Sequence, residues 1–180
     1  AMTKSAVAAM DCLESLFARE NEDVLTDFVV AGASKRGWTT WTTGAVDDRV
    51  KAMIPIVIDM LDVETSFEHH WQTYGFWAPA IQDYVDVGTV DWWGTPELKA
   101  LFELVDPFSY KDRYQMPKFL VNAAGDEFFV PTSSQFYFDQ LPGEKFLRYV
   151  PNASHSLGDS DALESILAFY AAVLNDYPRP

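Results

Sequence analysis

Phe28-Val29-Val30-Ala31-Gly32-Ala33-Ser34-Lys35-Arg36-Gly37 is the stretch on which the fold turns. Its first four residues are an apolar run too short for a helix and β-branched at its centre, which reads as a buried strand. Gly32 to Gly37 reads as a tight turn. Residues 36–46 then suit a helix, despite threonines that weaken its propensity. A serine on such a turn stands out from the backbone at the carboxyl end of the sheet. There the next helix offers backbone N–H groups and the positive end of its dipole to a developing oxyanion. The general G-x-S-x-G pattern wants a small residue two places after the serine. Here that place holds Arg36, and Gly37 follows one later. On the turn alone, an incidental serine in a glycine-rich connection explains the sequence equally well.

Outward from this turn, residues 3–20 read as an amphipathic helix with Ala6, Met10, Leu13 and Phe17 on one face, ended by Asn21-Glu22-Asp23. Asp47-Asp48-Arg49 is a polar break, and Val50 to Ile58 a second buried strand in which Pro55 predicts a bulge or a strand end. Residues 60–112 lose the strand–helix rhythm. They hold Trp71, Trp77, Trp92 and Trp93 and read as a mostly helical, aromatic-rich insertion, packed over the sheet or acting as a lid. Lys118 to Ala123 and Lys145 to Val150 are further strands. Pro131 to Leu141 is expected to be a helix, and Asp161 to Asn175 another, with Asp161 and Glu164 as a capping box. This order predicts an α/β fold: a mostly parallel sheet of about four strands flanked by helices, in a single domain spanning residues 1–180.

Composition narrows the function classes. Thirteen basic against twenty-seven acidic residues give a net charge of −14, which repels nucleic acid and anionic membrane surfaces. The longest aliphatic stretch, Ala52 to Ile58, is far short of the roughly 20 residues that span a bilayer. Cys12 is the single cysteine, so an intrachain disulfide and a cysteine-based zinc site are excluded; it is expected to be buried or partly buried in the first helix. Ala1-Met2 has the look of a vector-derived residue before a start methionine, and no signal peptide follows it.

A nucleophilic serine needs a base, and the base needs a partner that fixes its tautomer. Asp126 lies just past the third strand and His155 just past the fourth. Ser34, Asp126 and His155 therefore sit after three different strands, on the edge where open parallel sheets place their sites. Asp59, after the second strand, is the alternative acid; Glu127 is expected to point away. The backbone N–H of Lys35 is the expected oxyanion donor. Trp71, Trp77, Trp92 and Trp93 are the candidate pocket residues. The acids Glu64, Glu68, Asp83, Asp86 and Asp91 around them suggest a cationic or amine-bearing substrate. His69-His70 beside Glu64 and Glu68 are not expected to bind metal, because adjacent helical residues diverge by about 100°. No cofactor is called for. Asn152-Ala153-Ser154 has the form of a glycosylation acceptor, but a sugar beside His155 would obstruct the site.

Gly32-Ala33-Ser34-Lys35-Arg36-Gly37-Trp38-Thr39-Thr40-Trp41, Asp48-Arg49-Val50-Lys51-Ala52 and Ile54-Pro55-Ile56-Val57-Ile58-Asp59 together resemble the PhoPQ-activated pathogenicity-related protein family. Arg36 is at home in that family. The resemblance implies an α/β-hydrolase core, with Ser34 as nucleophile, Asp126 as acid and His155 as base of a serine hydrolase acting on a peptide or small-molecule ester. It implies no particular substrate. The alternative is a catalytically silent binding or regulatory protein on the same frame, associated with virulence. The resemblance leaves the compartment open, with a secreted or periplasmic parent among the options. It also implies strands ahead of the nucleophile strand, so the chain reads as the C-terminal part of a longer protein. The edge near Phe28 to Ala31 is then expected to be exposed and open to pairing with a second copy.

Overall fold

A computed structural model describes residues 1–20 and 24–179. The expected helix end at Asn21-Glu22-Asp23 lies outside the described residues, as does Pro180. Four parallel strands form one sheet: β1 (Phe28–Ala33), β2 (Val50–Ile56), β3 (Lys118–Ala123) and β4 (Lys145–Val150), in the order β1-β2-β3-β4. The helices are α1 (Met2–Glu20), α2 (Lys35–Val46), α3 (Val63–Tyr74), α4 (Gln82–Asp86), α5 (Pro96–Val105) and α6 (Ala162–Leu174). Every residue of β3 is buried, whereas β1 at the sheet edge has none buried. This is the burial gradient of a parallel sheet covered on both faces.

Two apolar clusters hold the layers. Trp41, Met53, Leu61, Tyr114, Leu120 and Tyr137 belong to one; Ala52, Ile54, Phe119, Val121, Val150 and Phe169 belong to the other. Alternate residues of β2 serve opposite clusters, as the two-residue period of a strand dictates. Trp41 packs edge-on against Tyr114 at 4.9 Å between ring centroids.

The turn at Ser34 explains the departure from the general serine motif. A Cβ on Gly32 would lie 2.6 Å from the Arg36 carbonyl oxygen, and one on Gly37 would lie 2.7 Å from Ile58 Cγ2 and 3.0 Å from the Gly32 carbonyl oxygen. The position that tolerates no side chain is therefore three places after the serine, at the contact of α2 with the sheet. Arg36 is exposed and free to be large.

Several expectations need correction. Residues 131–141 form two short 3₁₀ turns, Ser133–Phe136 and Phe138–Gln140, not a helix. Tyr137 between them takes φ −132°, which breaks the helix and sends its ring into the core, where its hydroxyl meets Asp59. β2 stops at Ile56, two residues early, because Val57 adopts φ 43°. The strand end expected at Pro55 is met, since β2 ends at the next residue, whereas the register irregularity lies opposite Phe28/Val29, where the pairing skips Lys51. Asp161 makes no capping bond; it pairs with Arg148 of β4 instead. Cys12 is exposed.

Arg49 is more than part of a polar break. Its guanidinium binds Asp47 (2.7 Å), Glu14 (2.8 Å) and Asp11 (2.7 Å), tying α1 to the start of β2. Asp47 foremost, then Asp11 and Glu14, hold the guanidinium above its ordinary pKa.

The region from residue 60 to 112 is helical, as expected: α3, α4 and α5 alternate with 3₁₀ turns at Pro79–Ile81, Thr89–Trp92 and Pro107–Arg113. It is docked firmly. The buried Asp106 carboxylate accepts from the N–H of Val63 (2.8 Å) and of Phe108 (2.9 Å), so one side chain caps α3 and starts the last turn. Trp38 Nε1 of α2 donates to the Val105 carbonyl at the end of α5 (3.0 Å).

Candidate active site

The carboxyl ends of four parallel strands carry Ser34, Asp59, Asp126 and His155 to one edge of the sheet. Ser34 has φ 55° and ψ −123°, a conformation that non-glycine residues reach only under strain of roughly 1–3 kcal/mol. The surrounding turn holds it there: its N–H donates to the Ile56 carbonyl (2.8 Å), and its carbonyl accepts from the N–H of Trp38 (3.1 Å).

Asp126 and His155 are joined. His155 Nδ1 lies 2.9 Å from Asp126 Oδ2 and 3.1 Å from Oδ1. The carboxylate is almost wholly buried and the imidazole 14% exposed. The N–H groups of Phe128 (2.8 Å) and Phe129 (3.1 Å) donate to Asp126 Oδ1, fixing its orientation. The two loops are also stitched through their backbones, since the Gly125 N–H donates to the Ala153 carbonyl at 2.9 Å. An imidazole held at Nδ1 by a carboxylate presents Nε2 as the proton acceptor. The ring is flanked by Phe128 and Phe129, with centroids 4.4 and 5.7 Å away.

Glu127 does not point away. Its Oε2 accepts the backbone N–H of His155 at 2.9 Å, and that bond holds the carboxyl below its usual pKa. Nothing in the local sequence distinguishes this role from solvent exposure; the signal is only its place beside Asp126.

Asp59 is buried and engaged elsewhere. Tyr137 donates to Oδ1 and Tyr149 to Oδ2, and Tyr149 also meets Ser134 Oγ at 2.8 Å. Burial pushes the Asp59 carboxyl up to about 6; the two tyrosine bonds oppose this, and the charge of Asp126 adds to it. Among the described residues it makes no hydrogen bond to His155.

Ser34 opens onto a cavity of about 400 Å³, within the size range of small-molecule sites. Trp38, Phe67, Trp93, Phe102, Phe128 and Phe129 give it aromatic walls. Of the four predicted pocket tryptophans, only Trp93 lines it. Trp71 and Trp77, with Trp93 again, border a separate depression beside Glu68 and Asp91, and Trp92 borders neither. None of the five acids named above lines the Ser34 cavity. No hydrogen bond joins Ser34 to His155 among the described residues; Phe128 and Phe129 both flank the imidazole and line the cavity.

His70 is a packing residue. Its Nε2 accepts the Ala78 N–H (3.1 Å), its ring stacks on Trp77, and burial first, then His69, holds its pKa below the ordinary value. His69 Nε2 lies 2.9 Å from Thr132 Oγ1. No cluster of three potential metal ligands occurs among the described residues.

The sheet and its helices place the chain in the α/β-hydrolase fold. Acetyl xylan esterase from Paenibacillus sp. R4 superposes with a TM-score of 0.68 at 18% identity, over 93% of this chain and 51% of that one. Pyrococcus horikoshii acylaminoacyl peptidase gives 0.66 at 17%, over 93% and 27%. The chain belongs to the PhoPQ-activated pathogenicity-related protein family, whose profile matches residues 1–180. Autocrine proliferation repressor protein A of Dictyostelium discoideum is 43% identical over 99% of this chain. The chain spans 37% of that relative's length and about half of the esterase's.

Proposed function

We propose that Ser34, His155 and Asp126 act together as the acyl-transfer machinery of a serine hydrolase. The observation that carries this reading is the 2.9 Å Nδ1–Oδ2 pair of His155 and Asp126, built on the same sheet edge as a serine held at φ 55°. Ser34 Oγ attacks the carbonyl of an ester or amide while His155 Nε2 takes its proton. The developing oxyanion is met by the Lys35 N–H at the start of α2. A donor of this kind is worth about 10²–10³ in turnover. As the bond to the leaving group breaks, the imidazolium returns that proton to the departing oxygen or nitrogen. Water then attacks the acyl-enzyme as His155 takes its proton, and the imidazolium gives that proton to Ser34 Oγ as the bond to the acyl group breaks and the acid leaves. Asp126 orients the ring and stabilises its charged form throughout.

The second reading is a regulator that keeps the hydrolase frame without catalysis. The name of the Dictyostelium relative, a proliferation repressor, favours it. A fluorophosphonate probe on the full-length protein separates the two. The hydrolase reading expects labelling that Ser34→Ala abolishes. A folded protein that resists the probe, or a Ser34→Ala variant labelled as strongly as the wild type, overturns it.

A further inference from the structure

The site's substrate class follows from the cavity, and this inference rests on the hydrolase reading above. We infer that the cavity beside Ser34 holds an uncharged, apolar acyl group, aromatic or of medium chain length. Its walls include seven aromatic side chains, Trp38, Phe67, Tyr84, Trp93, Phe102, Phe128 and Phe129; among the described residues no acidic side chain lines it, and Lys35 is the only charged residue on its border. A charged group placed there would lose its hydration without an ionic partner deeper in, whereas each buried methylene gains by leaving water. Acidic side chains border a separate depression instead, at Glu68 and Asp91.

Ser34 and Lys35, the attacking hydroxyl and the oxyanion donor of the reading above, both line the cavity. The half of the substrate that stays bonded to Ser34 Oγ is the acyl half, so that half is the one assigned to the cavity. Its volume of about 400 Å³ is far more than an acetyl group fills.

The test uses the full-length protein and p-nitrophenyl esters of acetate, octanoate, 4-phenylbutyrate, 6-aminohexanoate and monosuccinate. The expected kcat/KM for octanoate and 4-phenylbutyrate exceeds that for acetate by at least about tenfold, and the two charged acyl groups fall at least about tenfold below octanoate. Val90→Trp, which adds bulk to the cavity wall, should lower the octanoate-to-acetate ratio. In parallel, Ser34→Ala is titrated with methyl 4-phenylbutyrate and followed by tryptophan fluorescence, since Trp38 and Trp93 line the cavity. Turnover that prefers acetate or the aminohexanoate overturns the apolar site and leaves the hydrolase reading intact. Saturable binding by Ser34→Ala with no turnover by the wild type overturns the hydrolase reading and keeps the apolar site. Neither binding nor chain-length preference overturns the inference outright.

Discussion

Glu127 Oε2 accepts the backbone N–H of His155 at 2.9 Å, so two consecutive acids hold one histidine, Asp126 by its ring and Glu127 by its main chain. The arrangement fixes both the tilt of the imidazole and the height of its loop above the sheet edge.

Removing the second grip should therefore act on turnover more than on binding. Glu127→Ala is expected to lower kcat about tenfold with little change in KM, and Glu127→Gln, which keeps an acceptor oxygen, to recover most of the loss. Steady-state kinetics of the two variants checks this. Equal loss in both would show that the charge, not the hydrogen bond, matters.

The two acids after β2 and β3 should separate cleanly. Asp126→Asn is expected to lower kcat by about 10⁴, because the amide no longer fixes the tautomer that Ser34 needs. Asp59→Asn, bonded to Tyr137 and Tyr149 rather than to His155, should cost less than about tenfold in a protein whose circular dichroism is unchanged. A larger loss for Asp59→Asn would reverse the assignment.

Asp59 should instead show itself in the pH dependence of stability. Its carboxyl is raised from 3.8 to about 6, so between these values the folded state binds the extra proton and stability falls as pH rises. Across that window the group costs about 3 kcal/mol, fully present above pH 6. The unfolding free energy of the wild type minus that of Asp59→Asn should decrease from pH 4 to pH 6 and then level off; a flat difference in urea titrations would contradict it. The buried Lys118 amine, lowered by burial to about 8, acts in the opposite sense: stability rises between about pH 8 and 10.5, where the folded protein has shed a proton that the unfolded chain still holds.

Gly37→Ala should test the serine turn. The new methyl would press on Ile58 Cγ2 and on the Gly32 carbonyl, an overpacking strain of about 1–3 kcal/mol. At this chain length each kcal/mol lowers Tm by about 2–4 °C. A melt within a degree of wild type would mean that α2 has room to shift.

Among the described residues β1 is paired on one side, with β2. Association of the 1–180 chain through residues 28–31 is the expected consequence of a free strand edge. Sedimentation at high concentration checks it, and a clean monomer throughout would count against it.

Much of this architecture was legible in the sequence because local signals agreed with tertiary placement. The apolar run from Phe28, the crowded glycines about Ser34 and the strand-ending loops at Asp126 and His155 need no knowledge of distant contacts. The missing parts depend on such contacts. Tyr137 leaves helical geometry to reach Asp59, which lies after another strand. Val57 ends β2 with a positive φ that its β-branched side chain argues against. Three of the four tryptophans of residues 60–112 stay out of the Ser34 cavity, because bulk is visible in a sequence and orientation is not. Two of its walls, Phe128 and Phe129, directly follow the acids already singled out, and that adjacency was the available clue.

Phe128 and Phe129 give their amides to the Asp126 carboxylate, and their rings both flank the imidazole and line the cavity. Under the proposed hydrolase mechanism, a guest that fits snugly against those rings steadies the pair assigned to proton transfer, and one that leaves a gap lets it rattle. Discrimination between substrates would then be expressed in rate as well as in grip, and mutations aimed at either would disturb both.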